Sequence, residues 1–221
     1  MPINYLAIKQ KAWEENIAGF DLNDNSVREK IETWAILRGI EVTELMADIV
    51  NSKFFKYTFA KDPNRQNIYE KAAFEFLCNI PLIKDVRKLA PGGEKAYFVV
   101  NGQLTPGEKT SRTHREQHKS KSIDFKFIVK PYNQRKIELT CYAMHKYTES
   151  EGGAQDNQYS DLRLFLENCP TKRQECYIVF ADGKYYTDRL KELKKEFDIS
   201  TKRKVFTLNE FEVCVMEGEI I

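Results

Sequence analysis

Two acidic residues stand inside apolar, strand-like segments of this chain. Asp124 lies in residues 123–129 (IDFKFIV) and Glu138 lies in residues 136–144. Both segments alternate, so each acid falls on the face opposite the large hydrophobic side chains. The intervening Pro131-Tyr132-Asn133-Gln134 is a turn signal, which predicts a hairpin with strands ~4.8 Å apart. We therefore expect the two carboxylates to converge on one face of the sheet.

Converging carboxylates favour a particular chemistry. Like charges at short range repel, and a hard divalent cation such as Mg²⁺ relieves the repulsion because it prefers carboxylate oxygens and keeps its waters. A metal-bound water beside a phosphate is a hydrolytic arrangement. The alternative is two acids on a solvent-facing sheet surface, and spacing alone favours this alternative.

Length and composition bound the class of protein. The 221 residues predict one large domain or two small ones, and 42% hydrophobic with 31% charged residues is typical of a globular chain. With 35 basic and 33 acidic residues the net charge is +2, which excludes a binder held by bulk charge but allows a local basic groove. No apolar run is long enough for a transmembrane helix, and the N-terminus lacks a signal-peptide pattern. Five scattered cysteines without a CxxC pair predict reduced thiols, so we expect a cytoplasmic protein with no membrane partner.

The first part of the chain, residues 1–62, has a helical pattern. Ser26 and Glu29 form a capping-box spacing that predicts the start of one helix, and Thr43 is a candidate cap for another. Residues 67–78 carry an apolar stripe at helical spacing. We expect residues 1–62 to supply dimer contacts or part of a DNA cleft.

The remaining residues, 63–221, predict an α/β core. From Asn67 the expected order is helix, three strands, helix, strand, helix, strand, and the early strands can form an antiparallel meander. The strand after the second helix should lie parallel to an earlier one. The fold class is therefore α/β, with a mixed central β-sheet flanked by helices and a helical N-terminal region. The expected elements after the first helix are strands 96–100, 123–129 and 136–144, helix 156–168, buried strand 176–180, helix 188–197 and strand 211–216.

A long polar segment, residues 101–122, precedes Asp124 and is net basic. Loops of this length are usually functional or disordered. Its cations can neutralise phosphates, and arginine can read guanine in the major groove, so we expect DNA contact; the alternative is a solvated loop. The candidate DNA-contacting residues here are Lys109, Arg112, His114, Arg115, Lys119 and Lys121.

The order of these features resembles the PD-(D/E)XK nuclease superfamily, in particular small type II restriction endonucleases. An acid on a helix comes first (Glu70), then a strand opening with Asp124, then Glu138-Leu139-Thr140 at the acid-x-lysine position. A Gly-rich break with a Gln-bearing helix (residues 152–158) and the buried strand 176–180 follow. The resemblance covers about the last two-thirds of the chain and predicts a restriction-endonuclease-like core.

The resemblance implies roles for these residues. Asp124 and Glu138 would bind Mg²⁺, with the carbonyl of Leu139 as a third ligand. Glu70 would lie in the second shell or hold a further metal, and Thr140 would hydrogen-bond a metal water. Two glutamines of the next helix would touch the DNA backbone or cap that helix: Gln155 and Gln158.

Two positions depart from the family pattern. Ile123 replaces the proline before the first acid, and Thr140 stands where the family has its lysine. That lysine is thought to orient or activate the attacking water. Lys126, which shares the face of Asp124, is one candidate substitute, and Lys146 just past the strand is a second. The alternative for each is an ordinary exposed lysine. We assign His145 a structural role.

The sequence therefore predicts a Mg²⁺-dependent type II restriction endonuclease that cuts double-stranded DNA at a short specific sequence. By analogy, a homodimer is expected, because palindromic sites match two-fold symmetry. One alternative is another nuclease of the same superfamily, acting in repair or on DNA structure. The other is a catalytically inactive nuclease fold that serves as a DNA-binding module, which the threonine at the lysine position keeps open.

Overall fold

The computed structural model confirms the α/β class. It describes residues 2–111, 113, 121–132, 137–150, 155–170, 175–198 and 202–219, and only the backbone of Arg65 and Gln155. The chain divides into two compact units. One comprises Asn4–Tyr69, and the other comprises Glu70–Ile221 together with the first three residues. The division falls between Tyr69 and Glu70, whereas composition suggested residues 62 and 63.

Within the described residues, five α-helices come first, five strands follow, and helices and strands alternate from there onward. The α-helices are α1 (Tyr5–Ala18), α2 (Asn25–Ile36), α3 (Val42–Asn51), α4 (Lys53–Phe59), α5 (Ile68–Asn79), α6 (Gln155–Asn168), α7 (Arg189–Phe197) and α8 (Leu208–Glu217). The strands are β1 (Ile83–Lys88), β2 (Tyr97–Val100), β3 (Gln103–Pro106), β4 (Phe125–Val129), β5 (Leu139–Tyr147), β6 (Glu175–Asp182) and β7 (Arg203–Phe206). Short 3₁₀ turns occur at Pro63–Arg65, Gly107–Lys109 and Lys184–Tyr186.

The N-terminal unit contains α1 to α4, as the helical pattern predicts, but two predicted caps are wrong. Asp24 caps α2 instead of Ser26, because its carboxylate accepts the Ser26 N–H at 2.8 Å and the helix begins at Asn25. Helix α3 begins one residue before Thr43. The apolar stripes of α2, α3 and α4 meet in one cluster, whose buried members are Ile31, Ala35, Leu45, Ile49 and Phe59.

The second unit is built on a five-stranded mixed sheet in the order β1-β4-β5-β6-β7. The predicted hairpin is confirmed, since β4 pairs antiparallel with β5. The predicted parallel strand is confirmed too, because β6 pairs parallel with β5 and β7 pairs parallel with β6. The first strand predicted for the meander is wrong. The strand that pairs with β4 is β1, and the predicted strand 96–100 is β2, which pairs with β3 in a separate two-stranded sheet.

The C-terminal element is also a correction. Residues 211–216 belong to helix α8 and not to a strand, and the last strand is β7. Thr207 caps α8, because its hydroxyl accepts the Glu210 N–H and the Glu210 carboxylate accepts the Thr207 N–H. This capping box overrides the strand-like composition of the segment.

The two faces of the sheet bury different clusters. On one face the ring of Phe211 in α8 lies 5.6 Å from Phe127 and 5.0 Å from Phe180. On the other face Tyr142 stacks on Tyr177, and α6 and α7 pack over them. Strand β6 is buried on both faces, as predicted. Within the described ranges, no helix has the length and apolar character needed to cross a bilayer.

Candidate active site at the start of β4

The register of the hairpin separates the two acids that we expected to converge. Phe125 pairs with Ala143 and Val129 pairs with Leu139, so Asp124 precedes one end of the ladder and Glu138 lies beyond the other. Six residues of extended strand correspond to ~20 Å. The predicted two-carboxylate site of Asp124 and Glu138 is therefore wrong, because the two acids lie at opposite ends of the hairpin.

The two groups that were expected beside Glu138 also lie at the far end of the hairpin from Asp124. The Glu138 carboxylate is exposed and pairs with the Lys84 ammonium of β1, the strand on the other side of β4. The Leu139 carbonyl and Thr140 begin β5 at that same end, where Thr140 pairs with Ile128. The predicted third metal ligand and the predicted water-binding hydroxyl are therefore corrections as well, since neither group lies at the Asp124 end of the ladder.

Asp124 occupies the point where three strands meet. Its N–H donates to the Ala143 carbonyl at 3.0 Å, and its carbonyl accepts the Leu89 N–H at 2.8 Å. Its Oδ2 accepts the backbone N–H of His145 at 2.8 Å. The backbone of Asp124 is thus fixed by both neighbouring segments and its carboxylate by β5, at the end of the sheet where β1, β5 and β6 have their carboxyl ends. Ligand sites of open α/β sheets commonly lie at such an edge.

Burial dominates the electrostatics of Asp124 and raises its pKa. The Lys146 ammonium and the His145 N–H counteract part of this rise by favouring the charged carboxylate, whereas Glu70 adds to the rise. A carboxylate poised in this way, between desolvation and a neighbouring cation, is typical of a functional site.

Glu70 and Lys146 reach this carboxylate from different elements. Glu70 stands in the first turn of α5 and forms an ion pair of 2.8 Å with Lys88 at the end of β1. Lys146 is half-buried near the end of β5, one residue after the N–H that binds Asp124. The structure therefore brings together Glu70, Asp124 and Lys146, three residues that the sequence had singled out.

Lys126, the other candidate for the motif lysine, points elsewhere. Its ammonium lies 5.5 Å from the centre of the Tyr142 ring, directly across the strand pair. A cation over an aromatic face is a stable arrangement in its own right. Lys126 thus has a structural contact, and Lys146 is the lysine that acts on Asp124.

A buried pair stands behind the site. His145 Nε2 lies 3.3 Å from Asp182 Oδ2, and both side chains are almost fully buried. Asp182 Oδ1 also accepts the Leu208 N–H at 3.2 Å, at the start of α8. The next residue, Gly183, has φ +101°, and a Cβ there would lie 2.2 Å from the Thr148 carbonyl oxygen. Only glycine allows β5 and β6 to end this close together.

The donor set for a metal consists of two carboxylates. Among the described residues there is no group of three or more His, Cys, Asp or Glu side chains able to hold a metal ion. Mg²⁺ nevertheless binds through one or two carboxylates together with waters and substrate phosphates. Asp124 and Glu70 are the two candidate carboxylates, and Oε2 of Glu70 is paired with Lys88.

The predicted DNA-contacting residues fall into three groups. Lys109 is exposed at the end of a short 3₁₀ turn, Lys121 forms an ion pair of 3.4 Å with Asp161, and Gln158 accepts the Thr148 hydroxyl at 3.0 Å. Gln155 begins α6, and nothing is described of its side chain. The others lie outside the described residues: Arg112, His114, Arg115 and Lys119.

Three contributors to the site carried no sequence signal that we used. Lys88, the His145 N–H and Asp182 act through partners distant in sequence. The acid that ends the buried strand β6 was the available hint for Asp182, because a charge inside so apolar a run needs a partner.

No family model matches this chain, and no curated protein or solved structure matches it either.

Proposed function

We propose that this protein is a Mg²⁺-dependent endonuclease that hydrolyses phosphodiester bonds of double-stranded DNA, of the type II restriction class. The observation that supports it is the position of Asp124. Its partly exposed carboxylate lies within electrostatic range of Lys146 and Glu70, at the end of the sheet where β1, β5 and β6 have their carboxyl ends. Site-specific cutting and a homodimer are parts of the proposal supported by the sequence resemblance alone.

The proposed roles follow from these contacts. Asp124 and Glu70 would hold Mg²⁺, which when bound supplies Lewis-acid polarisation of the scissile phosphate. The His145 N–H keeps the Asp124 carboxylate in one orientation. The Lys146 ammonium would orient the attacking water and stabilise the charge that develops on the phosphate, the role that Thr140 left open.

The proposal is tested by incubating purified protein with long phage DNA, in Mg²⁺ and in EDTA. The variants are Asp124→Asn, which keeps the acceptor for the His145 N–H, and Glu138→Gln as the matched control at the other end of the hairpin. Discrete fragments that require Mg²⁺, disappear with Asp124→Asn and persist with Glu138→Gln are the expected result. A smear under the same controls would replace site-specific cutting by a non-specific nuclease. Intact DNA that is bound equally in Mg²⁺ and EDTA would favour the inactive DNA-binding module.

A further inference from the structure

A pocket of about 450 Å³ lies within the N-terminal unit, between α1 and α4. Its α1 wall comes from residues spaced as one helical face, and its α4 wall comes from Lys53 and Tyr57, one turn apart. The volume falls in the range of small-molecule sites, ~300–1,000 Å³. The α1 wall consists of Leu6, Lys9, Gln10, Trp13 and Glu14.

Two aromatic rings line this pocket. The Trp13 and Tyr57 rings lie 5.3 Å apart at 58°, and Tyr57 remains 36% exposed. The Lys53 ammonium lies 5.8 Å from the centre of the Tyr57 ring. A partly exposed aromatic ring in a pocket that also holds cations is the arrangement on which single-stranded nucleic acids stack their bases.

The polar residues of the pocket complement a nucleotide. Lys9 and Lys53 are cations able to neutralise phosphates. Gln10 Nε2 donates to Glu14 Oε1 at 3.1 Å, which orients the Glu14 carboxylate. A carboxylate accepts hydrogen bonds from the amino group of cytosine, and thymine has no such group. Leu6 is the single aliphatic side chain of the lining, which disfavours an amphipathic helix as the occupant.

We propose that the pocket between α1 and α4 binds an unpaired nucleobase of single-stranded DNA. The base stacks on Tyr57, its amino group donates to Glu14, and neighbouring phosphates lie against Lys9 and Lys53. The choice of DNA as the polymer rests on the proposed function, whereas the pocket uses none of the residues around Asp124.

The test is fluorescence anisotropy of a short labelled deoxycytidine oligonucleotide with the full chain in EDTA, where no cleavage occurs. Tyr57→Ala is expected to weaken binding about tenfold, because stacking is worth ~1–3 kcal/mol per base, and Tyr57→Phe is expected to bind as the wild type does. Circular dichroism checks that the variants fold. Wild-type affinity in a folded Tyr57→Ala protein would overturn the proposal.

The cations and Glu14 give two further readouts. Lys9→Ala and Lys53→Ala should each reduce the slope of log K against log salt by ~0.7, the contribution of one single-strand phosphate contact. Lys11→Ala is the matched control, because Lys11 pairs with Glu15 at 3.8 Å and does not line the pocket. Glu14→Ala should abolish a preference for oligodeoxycytidine over oligothymidine. Equal slopes in the Lys9, Lys53 and Lys11 variants, or no base preference in the wild type, would contradict the assignment.

The two proposals fail separately. Binding that depends on Tyr57 without any Mg²⁺-dependent cleavage would remove the nuclease and retain the pocket. Cleavage that depends on Asp124, with oligonucleotide binding insensitive to Tyr57, would remove the pocket and retain the nuclease.

Discussion

The backbone N–H of His145 donates a 2.8 Å hydrogen bond to Oδ2 of Asp124. This contact joins the start of β4 to the end of β5, and it places Lys146 next to the carboxylate. The same end of the sheet receives Glu70 and Lys88 from α5 and β1, and His145 turns its ring to Asp182 of β6. One end of the hairpin thus gathers the candidate site residues, and the Glu138 end holds a surface ion pair.

The first prediction separates the two candidate lysines. Lys146→Met should reduce Mg²⁺-dependent cleavage by ~100-fold or more, because the variant removes a cation aimed at the reacting group. Lys126→Met removes an equal charge from the same sheet and should cut as the wild type does, since Lys126 lies over Tyr142. Initial cleavage rates under excess DNA measure both. Similar losses in the two variants would show that bulk charge is responsible.

The second prediction concerns metal binding in the absence of DNA. Mg²⁺ should raise the Tm of the wild type, since a ligand at a hundred times its Kd stabilises the folded state by ~2.7 kcal/mol, or several degrees for a chain of this size. Asp124→Asn should lose the increase and Glu138→Gln should retain it. Differential scanning fluorimetry across a Mg²⁺ titration, repeated after EDTA, gives the comparison. A shift that survives Asp124→Asn would place the metal elsewhere.

The third prediction follows from the raised pKa of Asp124. An acid whose pKa is higher in the folded state than the ~3.9 of the unfolded chain binds its proton more tightly when folded. The free energy of unfolding therefore loses a contribution as pH rises from ~4 through the raised pKa, and the loss is complete above that pKa. Asp124→Asn cannot ionise, so its stability relative to the wild type should increase over this interval. Urea unfolding in metal-free buffer at successive pH values measures the difference, and a difference independent of pH would contradict the assignment.

The fourth prediction concerns the buried pair behind the site. Asp182→Ala removes the acceptor of the Leu208 N–H and the partner of His145, so we expect the free energy of unfolding to fall by ~3 kcal/mol. Asp188→Ala is the control, because its carboxylate is 91% exposed in a surface ion pair with Lys191, and it should change stability by ~0.5 kcal/mol at most. Denaturant unfolding of both variants measures the two changes in the free energy of unfolding. Equal small losses would mean that Asp182 adds little to the fold.

The fifth prediction tests the helix that replaced a predicted strand. Thr207→Ala deletes the hydroxyl of the capping box and should cost ~1 kcal/mol in the free energy of unfolding, whereas Thr207→Ser should restore nearly all of it. Chemical denaturation provides the values. Indistinguishable alanine and serine variants would show that packing of Phe211 alone holds α8.

Local patterns predicted most elements of the second unit. The alternation of residues 123–129 identified β4, the continuous apolar run identified β6, and the apolar stripes of α6 and α7 located both helices, because hydrophobic periodicity is a local property of the chain. Strands β1, β3 and β7 were not predicted, and residues 211–216 were assigned to the wrong kind of element. Their composition favours a strand, and the cap at Thr207 with the contacts of Phe211 to Phe127 and Phe180 decides for a helix.

The sequence by itself also singled out the three candidate site residues, Asp124 from its place in a strand pattern, and Glu70 and Lys146 from the family resemblance. It left their grouping open. Side chains on a strand repeat every two residues, so sliding β5 by an even number of residues keeps every side chain on its face and changes which one meets Asp124. The register that pairs Phe125 with Ala143 is set by the packing of the whole sheet. This register brings Lys146 to Asp124 and leaves Glu138 at the opposite end of the hairpin.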